Sequence, residues 1–367
     1  MKQNIAFVLP SLRGGGAERV MLNIVRGLCE KGYSIDLVLV KSEGIFRKNV
    51  PSRVRIIDLD SKRASTSLFG LVKYLDTQKP SIVFPSLPHI SVVTLLARLF
   101  SRSRPIIVPI EHNTLSQSVL HADTLRGRLL PHFMRITYTH ADRIVAVSKG
   151  VGNDLIKSLT IDSSTVSVIY NPVITKDLIT SSFDTTDHPW LNNSNYPVII
   201  GAGRLTQAKG FDDLVNAFAL LRSNRPARLI LIGEGPEESN LKQLIESHGL
   251  EGDISMPGFV SNPYVYFRRS SIFVLSSLWE GLPTVLIEAL ACGTRIISTD
   301  CPSGPKEILE NGQWGALVPV NDIFSLAEKM SNLLDQPKPQ TNSSAWKKFT
   351  IGNSTKEYET LINEMLE

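Results

Sequence analysis

The sequence is poor in the residues that would point to stapled, metal-bound or membrane-spanning structure. It has three cysteines in 367 residues, Cys29, Cys292 and Cys301. They form no C-x-x-C pair and no histidine cluster sits beside them, so neither a disulfide framework nor a zinc site is expected. No apolar run approaches the ~18 residues of a membrane-spanning helix. The first apolar run, Ile5–Leu9, is too short for a signal peptide and gives way to proline and glycine, which makes the cytoplasm the default location. No G-x-G-x-x-G or G-x-x-x-x-G-K-[ST] motif occurs, which weakens a dinucleotide-dependent oxidoreductase and excludes a P-loop. There is no convincing D-x-D motif and no metal-ligating cluster, so no metal is expected.

What the chain does have is an ordinary globular composition, 42% hydrophobic and 20% charged, and a length that suggests two domains. Its net charge of +4 hides an asymmetry. Residues 1–170 carry 23 Lys+Arg against 12 Asp+Glu, and the remainder 16 against 23. The basic half calls for an acidic partner or a well-solvated face.

Short apolar runs alternate with amphipathic segments in both halves. The first half offers strands at Ile5–Leu9, Ile35–Val40, Val54–Ile57, Ile82–Phe84, Ile106–Ile110, Ile144–Val147 and Val166–Ile169. The second offers Val198–Ala202, Leu229–Ile232, Ile254–Met256, Ile272–Leu275 and Arg295–Ser298. This alternation predicts α/β domains on mostly parallel sheets, with ligands at the carboxyl ends of the strands. The expected division is a first domain over 1–172, a polar linker over 173–196, a second domain over 197–340 and a final helical segment over 341–367, interrupted near Gly352.

The strongest chemical signal follows the run Ile272–Leu275. Glu280 and Glu288 bracket a Gly281-Leu282-Pro283-Thr284 turn at the start of a helix. The turn leaves first-turn amides free for an anion or a sugar hydroxyl. A carboxylate accepts two hydrogen bonds at once, which suits a diol. The bland alternative is a helix-capping Glu280 and a solvated Glu288. Against it, Glu288 lies among Ile287, Ala289, Leu290 and Ala291, where an unpartnered carboxylate is costly. A second loop, Gly201 to Gly210, carries Arg204 and Lys209, two cations able to clamp a diphosphate.

Together these segments resemble the E-x7-E region and phosphate loop of retaining glycosyltransferases with the GT-B fold, family 4 type, and the likeness runs from Ile5 to about Leu334. The resemblance implies two facing Rossmann-like domains with an interdomain cleft. It gives Glu280 the transferred sugar, Glu288 the nucleotide ribose, and Arg204 and Lys209 the donor phosphates. It also places the loop at Gly233 and the backbone of Phe259 and Val260 at the nucleotide. In the first half it puts Gly15 and Gly16, of the Gly14-Gly15-Gly16 loop, near the diphosphate and the acceptor. His112, after Pro109-Ile110-Glu111, would reach the donor sugar from the acceptor side, and Lys149 would line the cleft. By the same likeness the last helix crosses back to the first domain. The implied donor is a UDP-sugar and the implied acceptor a glycan or a lipid-linked glycan, with retention of configuration, no cofactor and no nucleic acid. A sugar-nucleotide epimerase on the same fold and a non-catalytic nucleotide-sugar-binding subunit stand as rivals. Finally, Arg98, Arg102, Arg104, Arg126, Arg128 and Arg135 are interleaved with Leu99, Phe100, Leu125, Leu129, Leu130, Phe133 and Met134, a pattern that fits either an anionic membrane surface or a solvated helix face.

Overall fold

The apolar runs fold as parallel strands. The computed structural model describes residues 4–122, 124–193, 195–337 and 342–367, without the side chains of Arg126 and Asn193. The expected boundary at 340/341 lies outside the described residues. The chain divides into two units, one reaching Val173 and completed by Phe349–Glu367, the other Ile174–Lys348.

In the first unit β1 (Asn4–Leu9), β2 (Ser34–Leu39), β3 (Arg55–Asp58), β4 (Ile82–Pro85) and β5 (Ile106–Ile107) form a sheet in the order β3-β2-β1-β4-β5. β6 (Ile110–Glu111), β7 (Ile144–Ala146) and β8 (Val166–Val168) form a second one. A parallel bridge between Ser86, just past β4, and Ile110 of β6 joins the two. The expected strand Ile106–Ile110 is therefore two strands. Pro109 lies at the break and has no amide to give a ladder. The Val108 amide still reaches Val83 at 2.9 Å, while the Pro109 carbonyl already accepts from Val145 at 2.8 Å.

The last helix, Ile351–Leu366, packs on the helix Gly16–Glu30. Close approach depends on Gly27, where a Cβ would stand 2.0 Å from Thr355 Oγ1. Tyr358 is fully buried and meets Phe84 edge-on, and Phe84 stacks on Phe7. Gly352 is the second residue of this helix and does not interrupt it; the irregular part is the pair of 3-10 turns at Ser343–Ala345 and Lys347–Phe349.

The second unit is one six-stranded parallel sheet: β9 (Val198–Ala202), β10 (Arg228–Ile232), β11 (Ile254–Gly258), β12 (Ile272–Leu275), β13 (Arg295–Thr299) and β14 (Ala316–Val318), in the order β11-β10-β9-β12-β13-β14. β9 and β12 are neighbours although β10 and β11 intervene in sequence, so the strand order reverses between them. That reversal is where a doubly wound sheet opens a crevice at its carboxyl ends. The helices Phe211–Asn224 and Ile323–Leu334 cover one face, with Leu214, Phe218, Leu231, Val274 and Met330 in the core between.

Much of the stretch 174–193, polar in composition, is helical and packed on the second unit. Thr175 caps the helix Lys176–Ser181 through its hydroxyl, and a second short helix spans Pro189–Asn193. The Arg268 guanidinium lies 3.8 Å from the Phe183 ring centroid, and His188 meets Trp190 and Tyr266 edge-on. Arg and aromatic side chains anchor what turn-forming residues alone would leave loose. Among the described residues no helix is long and apolar enough to cross a membrane.

Candidate active site

The second unit gathers three loops at the carboxyl ends of β9, β10 and β12. The β9 loop is tied to the β10 loop by Leu205 N–H donating to the Glu234 carbonyl at 2.9 Å, and to the β12 loop by Leu278 N–H donating to the Ala208 carbonyl at 2.8 Å. Two glycines make this possible. Gly233 has φ +136°, and a Cβ there would stand 1.9 Å from the Gly203 carbonyl oxygen; Gly210 has φ +55°, and its Cβ would stand 2.4 Å from the Ser276 carbonyl oxygen. Both combine a backbone that favours glycine with a contact that forbids a side chain.

This packing brings Lys209 and Glu280 together. Lys209 Nζ donates to Glu280 Oε1 at 2.5 Å, and both side chains are largely buried. The same oxygen accepts from Ser277 Oγ at 2.7 Å. Glu280 Oε2 has no hydrogen-bond partner among the described residues. Ser277 is itself held, since Thr299 Oγ1 donates to its carbonyl at 2.5 Å. The loop is fixed from below by Ser276 Oγ on the Lys209 carbonyl at 2.9 Å. Cys301 lies close enough for the Glu280 charge to act on it; burial first, then that charge, push its thiol up to about 12, so it stays protonated and inert. Arg204 is on the same loop as Lys209 but exposed, and its side chain makes no hydrogen bond or ion pair among the described residues. One cation is thus preorganised against a carboxylate and the other is available.

After Glu280 the chain turns through Gly281, Leu282 and Pro283, all buried, into the helix Thr284–Ala291. Pro283 occupies the cap position and offers no side-chain acceptor; Leu286 N–H turns back to the Pro283 carbonyl at 3.2 Å, which leaves the Thr284 and Val285 amides without a cap. Ser303 Oγ donates to the Gly281 carbonyl at 2.8 Å and fixes the turn from behind. Glu288 is buried at 4% exposure, which excludes the solvated-helix alternative. On the β11 side, Phe259 is exposed and its amide donates to Glu234 Oε1 at 3.3 Å, while Val260 is half-buried.

The remaining residues belong to the first unit. Gly15 caps the helix Gly16–Glu30 in an extended conformation, and both glycines are exposed. The Glu18 carboxylate folds back over Gly15, where a Cβ would meet it at 2.2 Å. His112 is buried, with Nε2 2.9 Å from Ser86 Oγ, and burial pulls its pKa down to about 4, so the ring is neutral at pH 7. Its neighbour Glu111 is buried too and accepts from the Tyr138 hydroxyl and from Ser91 Oγ; burial pushes its carboxyl up to about 7 despite those donors. Lys149 is exposed at the first position of the helix Lys149–Leu159, capped by Ser148 Oγ on the Val151 amide.

Sequence reasoning missed Ser277, Thr299 and Glu111. Ser276-Ser277 directly after a buried strand and three residues before Glu280 was a readable signal. So was a carboxylate at Glu111 beside an apolar strand, by the argument applied to Glu288. Thr299 gave none, because its role follows from the pairing of β12 with β13. Among the described residues no group of three or more His, Cys, Asp or Glu could hold a metal.

Two α/β units on parallel sheets, the second with a buried Lys–Glu pair and an exposed arginine at its strand reversal, define a two-domain, doubly wound class of fold. Solved structures match it over the whole chain. A glycosyltransferase from Rickettsia africae has a TM-score of 0.80 at 19% identity, covering 100% of this chain and 99% of that one. Anabaena HepE in complex with UDP and glucose has a TM-score of 0.79 at 18% identity, covering 99% of this chain and 100% of that one. The fold is GT-B. The model for glycosyltransferase family 4 matches residues 14–177 and that for glycosyl transferases group 1 matches residues 182–348. The chain belongs to the group 1 glycosyltransferases. It is 26% identical over 380 residues to the N-acetylgalactosamine-N,N'-diacetylbacillosaminyl-diphospho-undecaprenol 4-alpha-N-acetylgalactosaminyltransferase of Campylobacter jejuni, covering 97% of this chain and 99% of that protein.

Proposed function

We propose that this glycosyltransferase moves a hexosyl or N-acetylhexosaminyl group from a UDP-sugar to a glycan or lipid-linked acceptor, with retention of anomeric configuration. The observation that carries the donor half is the Lys209–Glu280 pair at the strand reversal, with Arg204 open beside it. In this reading Arg204 and Lys209 hold the diphosphate and first-turn amides of the helix Thr284–Ala291 assist. Glu280 Oε2 takes a sugar hydroxyl and Glu288 the ribose. Gly233, Phe259 and Val260 flank the base. Gly15, Gly16 and His112 serve the first unit's side of the reaction, with a neutral His112 able to donate or accept a hydrogen bond without bringing charge. The bond from the anomeric carbon to the diphosphate oxygen breaks, the acceptor hydroxyl oxygen bonds that carbon on the same face, and its proton passes to the departing diphosphate. The negative charge gathers on the departing diphosphate, where Lys209, held in place, and Arg204, free to reach it, stabilise it. The UDP complex of HepE and the lipid-linked substrate in the Campylobacter protein's name support the choice of donor and acceptor.

The test is a thermal-shift panel of UDP-, GDP- and ADP-sugars. A ligand at about 100 times its Kd adds about 2.7 kcal/mol, which gives a clear rise in melting temperature for UDP-sugars alone. No shift with any of the three would overturn the donor assignment. Because the cations carry the diphosphate charge, turnover is also expected to survive excess EDTA unchanged. Loss of activity in EDTA with recovery on adding a divalent metal would contradict that part.

A further inference from the structure

The helix Leu125–Thr137 has two apolar faces. Met134 and Thr137 are buried and Leu130 and Pro131 half-buried, all on the side that packs against the helices Pro88–Phe100 and Lys149–Leu159. Leu125, Leu129, Phe133 and Ile136 follow one another at helical spacing on the opposite side and stand 73%, 43%, 55% and 68% exposed. The terminal residues of two helices packed beside it, Phe100 and Leu120, are also exposed. Among the described residues nearly half of the exposed large apolar side chains fall between residues 99 and 136, which makes this a concentration rather than the scatter expected of a solvated surface.

Charge selects the occupant. Arg128 and Arg135 are exposed on one flank of the outward stripe. Each uses part of its guanidinium locally, Arg128 on the Ala122 carbonyl and Arg135 on the Thr160 hydroxyl, and keeps the rest for an outside anion. Neither Leu125–Thr137 nor the neighbouring helix Leu115–Leu120 contains an acidic residue. The carboxylate on the packed helix Lys149–Leu159, Asp154, is taken by the Ser116 amide at 3.0 Å. Arg98, read from the sequence as part of this surface, is not: it is mostly buried and bonded to Asp142 and the Pro105 carbonyl. A second copy of the chain laid stripe to stripe would set arginine against arginine. An anionic bilayer accepts both features, since leucine and phenylalanine enter the acyl boundary while arginines meet lipid phosphates.

We propose that the helix Leu125–Thr137 is a membrane-docking element that seats its outward stripe in the interface of an anionic lipid bilayer. The inference does not depend on the identity of the donor. The test is co-sedimentation of the full chain with vesicles of phosphatidylcholine containing 30% (about one lipid in three) phosphatidylglycerol, and with phosphatidylcholine alone. Binding to the anionic vesicles is expected, weakened by salt and much weaker on the neutral ones. The double variant L129E/F133E should bind at least about tenfold more weakly, and R128Q and R135Q about fivefold each. All should keep the donor-induced shift and a melting temperature close to that of wild type, because all four side chains are exposed. Wild type that stays in the supernatant, or L129E/F133E that pellets like wild type, would overturn the proposal. So would dimers in solution that L129E/F133E converts to monomers while neither form binds vesicles, since the stripe would then be a protein interface.

Discussion

Replacing Lys209 with alanine is expected to lower turnover by about 10²–10³-fold at saturating donor, the scale for removing one group that stabilises charge in the transition state. Arg204→Ala should cost a similar factor, but the two losses have different origins. Lys209 is paired in the free protein: its ammonium holds Glu280 Oε1 at 2.5 Å, and Ser277 is the other donor to that oxygen. Removing it strips the diphosphate of a cation and also leaves a nearly inaccessible carboxylate with a single hydroxyl donor. The second effect is a ground-state one and should appear as a lowered melting temperature. Arg204 is exposed with nothing to orphan, so Arg204→Ala should keep the wild-type melting temperature. A Lys209→Ala, Glu280→Ala double variant should be less destabilised than the sum of the singles, because the pair is removed whole. Steady-state kinetics with thermal melts on wild type, the three single variants (Lys209→Ala, Arg204→Ala and Glu280→Ala) and the double variant separate these effects. Wild-type turnover in either cation variant would refute the clamp.

The pairing that drives this prediction joins residues 71 apart and could not be read along the chain. Each partner was legible by itself: Lys209 through its glycine-bounded loop, Glu280 through the turn that opens a helix. Their contact needs β9 to lie beside β12, a property of strand order that composition does not encode. The fold was more legible than the site because parallel strands buried on both faces are continuous apolar runs. Where that signal thinned, reading along the chain failed. β14 is three residues at the sheet edge, with Ala316 and Leu317 half-exposed, and its apolar run Ala316-Leu317-Val318 is too short, and too close to Pro319, to stand out. Pro109 split an apolar run into two strands that hydrogen-bond to different neighbours. The packing of 174–193 depends on its own rings, Phe183 and Trp190, meeting Arg268 and Arg228 from elsewhere in the unit, which polar composition concealed.

Glu111 and His112 should give the first unit a stability profile in pH that looks flat only because two steep contributions oppose each other. Burial pushes the Glu111 carboxyl from 4.5 up to about 7. Between those values the unfolded chain has released a proton that the native state keeps, so stability is full below pH 4.5 and falls as pH rises toward 7. Burial pulls the His112 imidazole from 6.5 down to about 4. Below 6.5 the unfolded chain takes up a proton that the native state refuses, so stability falls as pH drops toward 4. Each group contributes about 3 kcal/mol across its window, since one proton bound differently by the two states changes stability by ~1.36 kcal/mol for every pH unit. Across pH 4.5–6.5 the slopes have opposite sign and nearly cancel. Glu111→Gln keeps an acceptor for the Tyr138 hydroxyl but cannot ionise. Relative to wild type it should gain stability as pH rises from 4.5 to about 7 and then level off. His112→Asn should do the reverse, gaining relative to wild type as pH falls from 6.5 toward 4. Urea unfolding at about pH 4.5, 6 and 8 measures both differences. Variant curves that run parallel to the wild type across that range would show that neither group is held in the protonation state its burial implies. His112 would then enter the reaction as a cation at the lower end of the range, and its proposed part as a neutral hydrogen-bonding group beside the donor sugar would have to be given up.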